Sequence, residues 1–255
     1  MELVILGSGT GIPSAQRASP GLVLSSLSKP ILFDLGPGCL RQLSRIGIDY
    51  NRLGIIFITH FHPDHTADLI HFLFATRNPS TLHKREPFVV AGPKGLKDFI
   101  SDLQKAYGNW LDVPPQIMKI NELEITKPDT KVFGGIEVST QPLPAHTAES
   151  LAYRVCMPSG KVFVYSGDTG YCEELVDISK GADVLILESS FPDRNPVEGH
   201  LTPSEAGRVA TLGRAKKLVL VHFYPEVLAT DIASECRRTF KGELVLGRDL
   251  LHLSI

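Results

Sequence analysis

Short apolar runs recur along the chain, bounded by Gly, Pro, Asp or Lys and rich in β-branched residues. That length and content predict strands. The runs are Glu2–Leu6, Leu22–Ser25, Ile31–Asp34, Ile55–Thr59 and Phe88–Ala91, then Ile136–Thr140, Leu151–Cys156, Val162–Ser166, Val184–Glu188, Leu218–His222 and Glu243–Leu246. Segments of helical period fall between them. In Gly38–Ile46 the apolar Leu40, Leu43 and Ile46 share a face, and Gly47 supplies a stop. Lys94–Tyr107 sets Leu96, Phe99, Ile100 and Leu103 on one side, and His65–Thr76 is a further candidate. Pro203–Arg214 opens with Thr202-Pro203-Ser204-Glu205, a capping threonine, a proline at the first helical position and a glutamate at the third. The run from Thr126 to Val138, broken by Pro128 and Gly134-Gly135, predicts a loop and hairpin. Alternation of strands and helices along the whole length predicts one α/β domain over 1–255.

Composition narrows the partners. A net charge of -2 offers no global field for a polyanion. No apolar run approaches the ~20 residues of a membrane helix. The start, Met1-Glu2-Leu3-Val4-Ile5-Leu6, lacks a basic leader and reads as a first strand. Cys39, Cys156, Cys172 and Cys236 are scattered without a C-x-x-C pair, which predicts reduced thiols in a cytoplasmic protein and no thiolate metal ligands.

The chemistry concentrates in Thr59-His60-Phe61-His62-Pro63-Asp64-His65. In extended backbone alternate side chains share a face, so His60 and His62 can address one ion. Asp64 and His65 follow where the chain turns into a helix and can reach a second. Imidazoles with a carboxylate suit zinc, iron or manganese better than calcium or magnesium. With 9 histidines in 255 residues, chance would produce this arrangement with odds on the order of one in a thousand, which disfavours a merely solvated helix start. Four residues cannot close two sites. Further ligands are expected at strand ends, and three fit: His146 after Pro142-Leu143-Pro144, Asp168 in Ser166-Gly167-Asp168-Thr169-Gly170, and His222 closing Leu218–His222.

In this order the motifs resemble the metallo-β-lactamase superfamily over essentially the full length. The resemblance implies a four-layer αβ/βα sandwich with two divalent metal ions at one edge between the sheets. Zinc is the first expectation, with manganese or iron as alternatives. It implies that His60, His62 and His146 hold one ion, Asp64, His65 and His222 the other, and that Asp168 bridges them. Asp64 would also orient the attacking water.

Other stretches resemble the ribonuclease Z-like branch. Leu6-Gly7-Ser8-Gly9-Thr10-Gly11-Ile12-Pro13, followed by Arg17, matches its opening loop. A dinucleotide loop is excluded there, because Pro13 intervenes and no helix pattern follows. Phe33-Asp34-Leu35-Gly36 is a second signature, with Asp34 expected to orient the metal loop. Leu185-Ile186-Leu187-Glu188 followed by Gly199-His200-Leu201-Thr202 resembles an acid dyad. His200 would protonate the leaving oxygen and Glu188 would orient it, although Leu187 stands where the family often has a histidine. A second departure is larger. The long arm that grips tRNA in ribonuclease Z is missing between Cys156 and Val162. The expectation is therefore a phosphodiesterase away from membranes, its substrate a small phosphodiester or RNA; the resemblance further implies a homodimer. The alternatives are hydrolysis of a thioester, aryl sulfate or lactone at the same metals, or tRNA 3'-processing without the arm. Arg17 and Arg154 read first as ordinary surface arginines, with phosphate contact as the alternative, and Trp110 belongs either over the site or in the core.

Overall fold

Runs such as Leu22-Val23-Leu24 and Ile55-Ile56-Phe57 lack polar alternation, as strands covered on both faces do. The computed structural model, which describes residues 2–25 and 28–255, buries every residue of both. In chain order come β1 (Glu2–Gly7), β2 (Gly21–Leu24), β3 (Ile31–Phe33), α1 (Cys39–Arg45), β4 (Ile55–Phe57), α2 (Pro63–Arg77), α3 (Pro79–Leu82), β5 (Phe88–Pro93), α4 (Leu96–Tyr107) and β6 (Met118–Leu123). There follow β7 (Asp129–Phe133), β8 (Ile136–Pro142), β9 (Leu151–Cys156), β10 (Val162–Tyr165), α5 (Glu173–Ser179), β11 (Val184–Glu188), α6 (Pro203–Leu212), β12 (Lys217–Val221), α7 (Pro225–Leu228), α8 (Ile232–Cys236), β13 (Glu243–Leu246) and β14 (Leu251–Ser254).

The chain forms two compact units, one of 1–7, 13–123 and 249–254, the other of 8–12, 124–248 and 255. The first holds a seven-stranded sheet in the order β14-β1-β2-β3-β4-β5-β6. Its strands from β3 to β6 are parallel. Ile56, Ile58, Leu69, Phe72 and Leu73 join the core between this sheet and its helices. The second unit holds β13-β12-β11-β10-β9-β8-β7. Its strands from β10 to β13 are parallel, and Val164, Leu185, Leu187, Val209 and Leu220 share its core. Parallel strands end on the same side, so each sheet collects the loops that follow neighbouring strands along one edge.

The sequence missed β6 and β14, which are the two edges of the first sheet. An edge strand has one neighbour and an exposed flank, so it carries polar residues such as Lys119, Asn121 and His252 and loses the apolar signature. The short α5 was also missed. The predicted hairpin around Gly134-Gly135 forms as β7–β8. The predicted cap of α6 forms as a reciprocal pair, Thr202 with the Glu205 backbone and Glu205 with the Thr202 backbone. No helix among the described residues is long and apolar enough to cross a membrane.

Candidate metal centre

In the first unit the loops after β3 and β4 carry the chemistry. Asp34 follows β3 with a positive φ of 56° and is fully buried. One of its oxygens accepts the Thr59 backbone N–H at 2.8 Å; the other accepts the Thr59 hydroxyl at 2.9 Å and His65 Nδ1–H at 2.7 Å. Because that hydroxyl spends its one hydrogen on Asp34, Thr59 Oγ1 is an acceptor for His60 Nδ1, 2.9 Å away. In their neutral form both histidines thus carry their proton on Nδ1 and present the Nε2 lone pair. His60 and His65 are fully buried and their rings lie 4.3 Å apart; the exposed His62 ring is 4.6 Å from His60. Asp64 sits half-buried in the first turn of α2, for which His62 is the extended cap residue and Pro63 the first position. Gly36 lets the strand-end loop lie against that turn. A Cβ there would stand 1.9 Å from the Asp64 carbonyl oxygen, where Leu35 N–H bonds the His65 carbonyl at 2.8 Å.

The second unit repeats the device. His146, in the loop after β8, donates Nδ1–H to the Gly199 carbonyl at 2.8 Å. Burial pushes it below the ordinary imidazole value, which favours the neutral ring. Asp168 follows β10 and His222 follows β12, the latter with φ 58°. Glu188 ends β11 and is buried. It accepts the Thr169 N–H at 2.6 Å, His200 Nδ1 at 3.0 and 3.1 Å, and the Ser190 hydroxyl. Ser190 Oγ is also 2.8 Å from His222 Nδ1. Asp168 Oδ2 lies 3.3 Å from His222 Nε2 and 4.0 Å from His146 Nε2. Donor atoms facing each other at that spacing suit a cation between them. Ligands at ~2.1 Å around a tetrahedral ion stand roughly 3.4 Å apart, so the donor set fits a metal of the zinc type.

The first unit therefore brings together His60, His62, Asp64 and His65, and the second His146, Asp168, Glu188, His200 and His222; all nine offer metal-type donor atoms. The thiols stand apart. The four cysteines are free, and burial raises Cys39 well above its usual value and Cys236 to about 11. The contacts of Thr59 and Ser190 with candidate ligands were not anticipated from the sequence. The only signal for them was a hydroxyl next to a predicted ligand or beside Glu188. The Arg154 guanidinium caps the end of α5, donating to the Ile178 and Lys180 carbonyls at 3.0 and 2.9 Å, which fits its reading as an ordinary structural arginine. Arg17 is half-buried, with Asp249 nearby. Trp110 is 60% exposed, so core packing is excluded. It lines a cavity of about 690 Å³ with Phe74, Tyr107 and α2. Where ribonuclease Z would carry its arm, residues 157–161 make a tight β9–β10 turn, closed by Met157 N–H to the Lys161 carbonyl at 2.8 Å.

The chain matches the beta-lactamase superfamily domain over residues 29–223. It is 31% identical to a ribonuclease Z of Ignicoccus hospitalis over 270 residues, covering 87% of each chain. That alignment is longer than the 255 residues here, so the relative carries segments with no counterpart. The crystal structure of the metallo-β-lactamase fold protein YhfI from Bacillus subtilis superposes with a TM-score of 0.85 at 23% identity, covering 99% of this chain and 98% of that one. The short form of human tRNase Z superposes with a TM-score of 0.81 at 26% identity, covering 100% and 99%. The α/β metallo-β-lactamase fold implied by the sequence is thus present.

Proposed function

The chain belongs to the beta-lactamase superfamily domain family, in its ribonuclease Z-like branch, and is a metal-dependent hydrolase; from that premise we propose that it is a dinuclear phosphodiesterase acting as one catalytic domain. The observation that carries the phosphodiester reading is the Glu188–His200 pair. Glu188 holds His200 through Nδ1, which leaves Nε2 to deliver a proton. Breaking a phosphodiester releases an alkoxide that needs one, and a positioned acid gives ~10²–10⁴-fold. Acyl or sulfuryl transfer has less use for it.

His60, His62 and His146 would hold one ion, Asp64, His65 and His222 the other, with Asp168 shared. Nitrogen and oxygen donors favour zinc, with manganese or iron as alternatives. When bound, the ions supply a nucleophilic water at neutral pH and polarise the phosphoryl oxygens. Asp64 orients the attacking water, and His200 protonates the leaving oxygen. The tight turn at 157–161 favours a small phosphodiester over tRNA. The resemblance also supports a homodimer, and the free thiols a cytoplasmic setting.

The test is a substrate panel with zinc-loaded protein: bis(p-nitrophenyl) phosphate, cyclic nucleotides, an aryl sulfate, a thioester and a tRNA precursor. Phosphodiesters are expected to be cleaved best; a faster thioester or sulfate would overturn the reading. His200→Ala should keep both metals and slow an alkyl phosphodiester ~10²–10⁴-fold, with a smaller loss on p-nitrophenyl esters. Equal rates on the alkyl ester would remove the acid role.

A further inference from the structure

From the hydrogen bonds around β11 we infer that Ser190 is a positioning residue, whose hydroxyl fixes the tautomer of His222 and ties that metal ligand to the carboxylate that holds His200. The inference rests on the metal-dependent reading above.

Ser190 is fully buried, two residues beyond Glu188. Its Oγ touches the Glu188 Oε2 oxygen and lies 2.8 Å from His222 Nδ1. A hydroxyl has one hydrogen and two lone pairs. Glu188 is ringed by donors, the Thr169 N–H and His200 Nδ1 among them, so its oxygens accept. The Ser190 hydrogen therefore goes to Glu188, in preference to the His222 carbonyl 3.2 Å away. Oγ is left as an acceptor, and His222 Nδ1 must be the donor. Of the two neutral tautomers, only the one with a bare Nε2 satisfies this chain, and Nε2 is the atom 3.3 Å from Asp168 Oδ2.

Glu188 consequently does more than orient an acid. One carboxylate anchors His200, anchors His222 through Ser190, and pins the Thr169 N–H beside Asp168. Its removal would disturb acid and metal together, whereas Ser190 separates the two. The first unit supplies an independent parallel: buried Asp34, the Thr59 hydroxyl and His60 Nδ1 make the same sequence of contacts. The same order, carboxylate to hydroxyl to imidazole, recurs on a different strand end with a different acid and a different hydroxyl.

The experiment compares the parent, Ser190→Ala and Ser190→Thr, reading zinc content and dissociation constants by chelator competition. The parent is expected to bind two ions per chain. Ser190→Ala should keep one at parental affinity and weaken the other ~10–100-fold, as loss of an outer-sphere partner does. Ser190→Thr, which keeps the hydroxyl, should restore it to within about threefold, a recovery that loss of packing alone would not give. A parent that binds no zinc would overturn the metal reading and this inference with it. A parent with two ions and a Ser190→Ala protein binding both as tightly would overturn this inference alone. Should Ser190→Ala fail to fold, ¹⁵N imidazole spectra of the zinc-loaded parent decide: a proton on His222 Nδ1 supports the inference, and a bare Nδ1 refutes it.

Discussion

Replacing Asp34 with Asn tests what its second acceptor oxygen does. Asp34 has φ 56°, a left-handed conformation that Asn also tolerates, so the backbone is spared. The carboxamide keeps one acceptor for the Thr59 N–H, now 2.8 Å away. Its other end becomes an NH₂, which faces His65 Nδ1–H across 2.7 Å in a fully buried site. Either two donors confront each other, or His65 moves its proton to Nε2 and loses its lone pair. A hydrogen bond to a charged group contributes ~1.5–3 kcal/mol, and leaving a buried donor unsatisfied costs ~1–3 kcal/mol. The metal-free protein should therefore lose ~2–4 kcal/mol in urea unfolding with chelator present. Zinc affinity should fall ~10–100-fold. A loss below ~1 kcal/mol together with an unchanged dissociation constant would refute the argument that Asp34 sets the His65 tautomer.

Asp168→Ala should strip at least one of two ions per chain, since the carboxylate faces Nε2 of both His146 and His222; metal analysis returning two ions would remove it from the ligand set. Asp183 tests acid stability away from the metals. Burial works against its charge, but hydrogen bonds from Lys216, the Val162 N–H and Lys161 outweigh that and hold the carboxyl down at about 2. A depressed value contributes stability above the unfolded carboxylate range, and that contribution fades as pH falls from about 4 through 2. The lysines are solvent-facing, so the contribution is discounted to about 1–2 kcal/mol. Asp183→Asn should lower the melting temperature at pH 7 and match the parent below pH 2; a constant difference across that range would contradict the assignment.

Much of this was legible because local chemistry wrote it. The strands β1, β9, β11 and β13 follow from apolar runs with clear ends. The Thr202–Glu205 cap needs only residues three apart, and the H-x-H-x-D-H motif needs only one turn of chain to place its donors. The edge strands β6 and β14 were hidden, because pairing with β5 and β1 forms them despite their polar residues. The partners of Arg154 were hidden for the converse reason: an arginine on a strand is silent about which carbonyls it will meet.

Residue identity by itself pointed to the candidate ligand types, to the proposed acid pair and to the short β9–β10 connection, all of which depend on which donors are present and how far apart they stand in sequence. Only the tertiary structure decided which proton each imidazole keeps. Asp34 lies 31 residues from His65, and Ser190 lies 32 from His222. Those partners meet because parallel strands deliver their ends to one edge, and a buried hydroxyl has a single hydrogen to give.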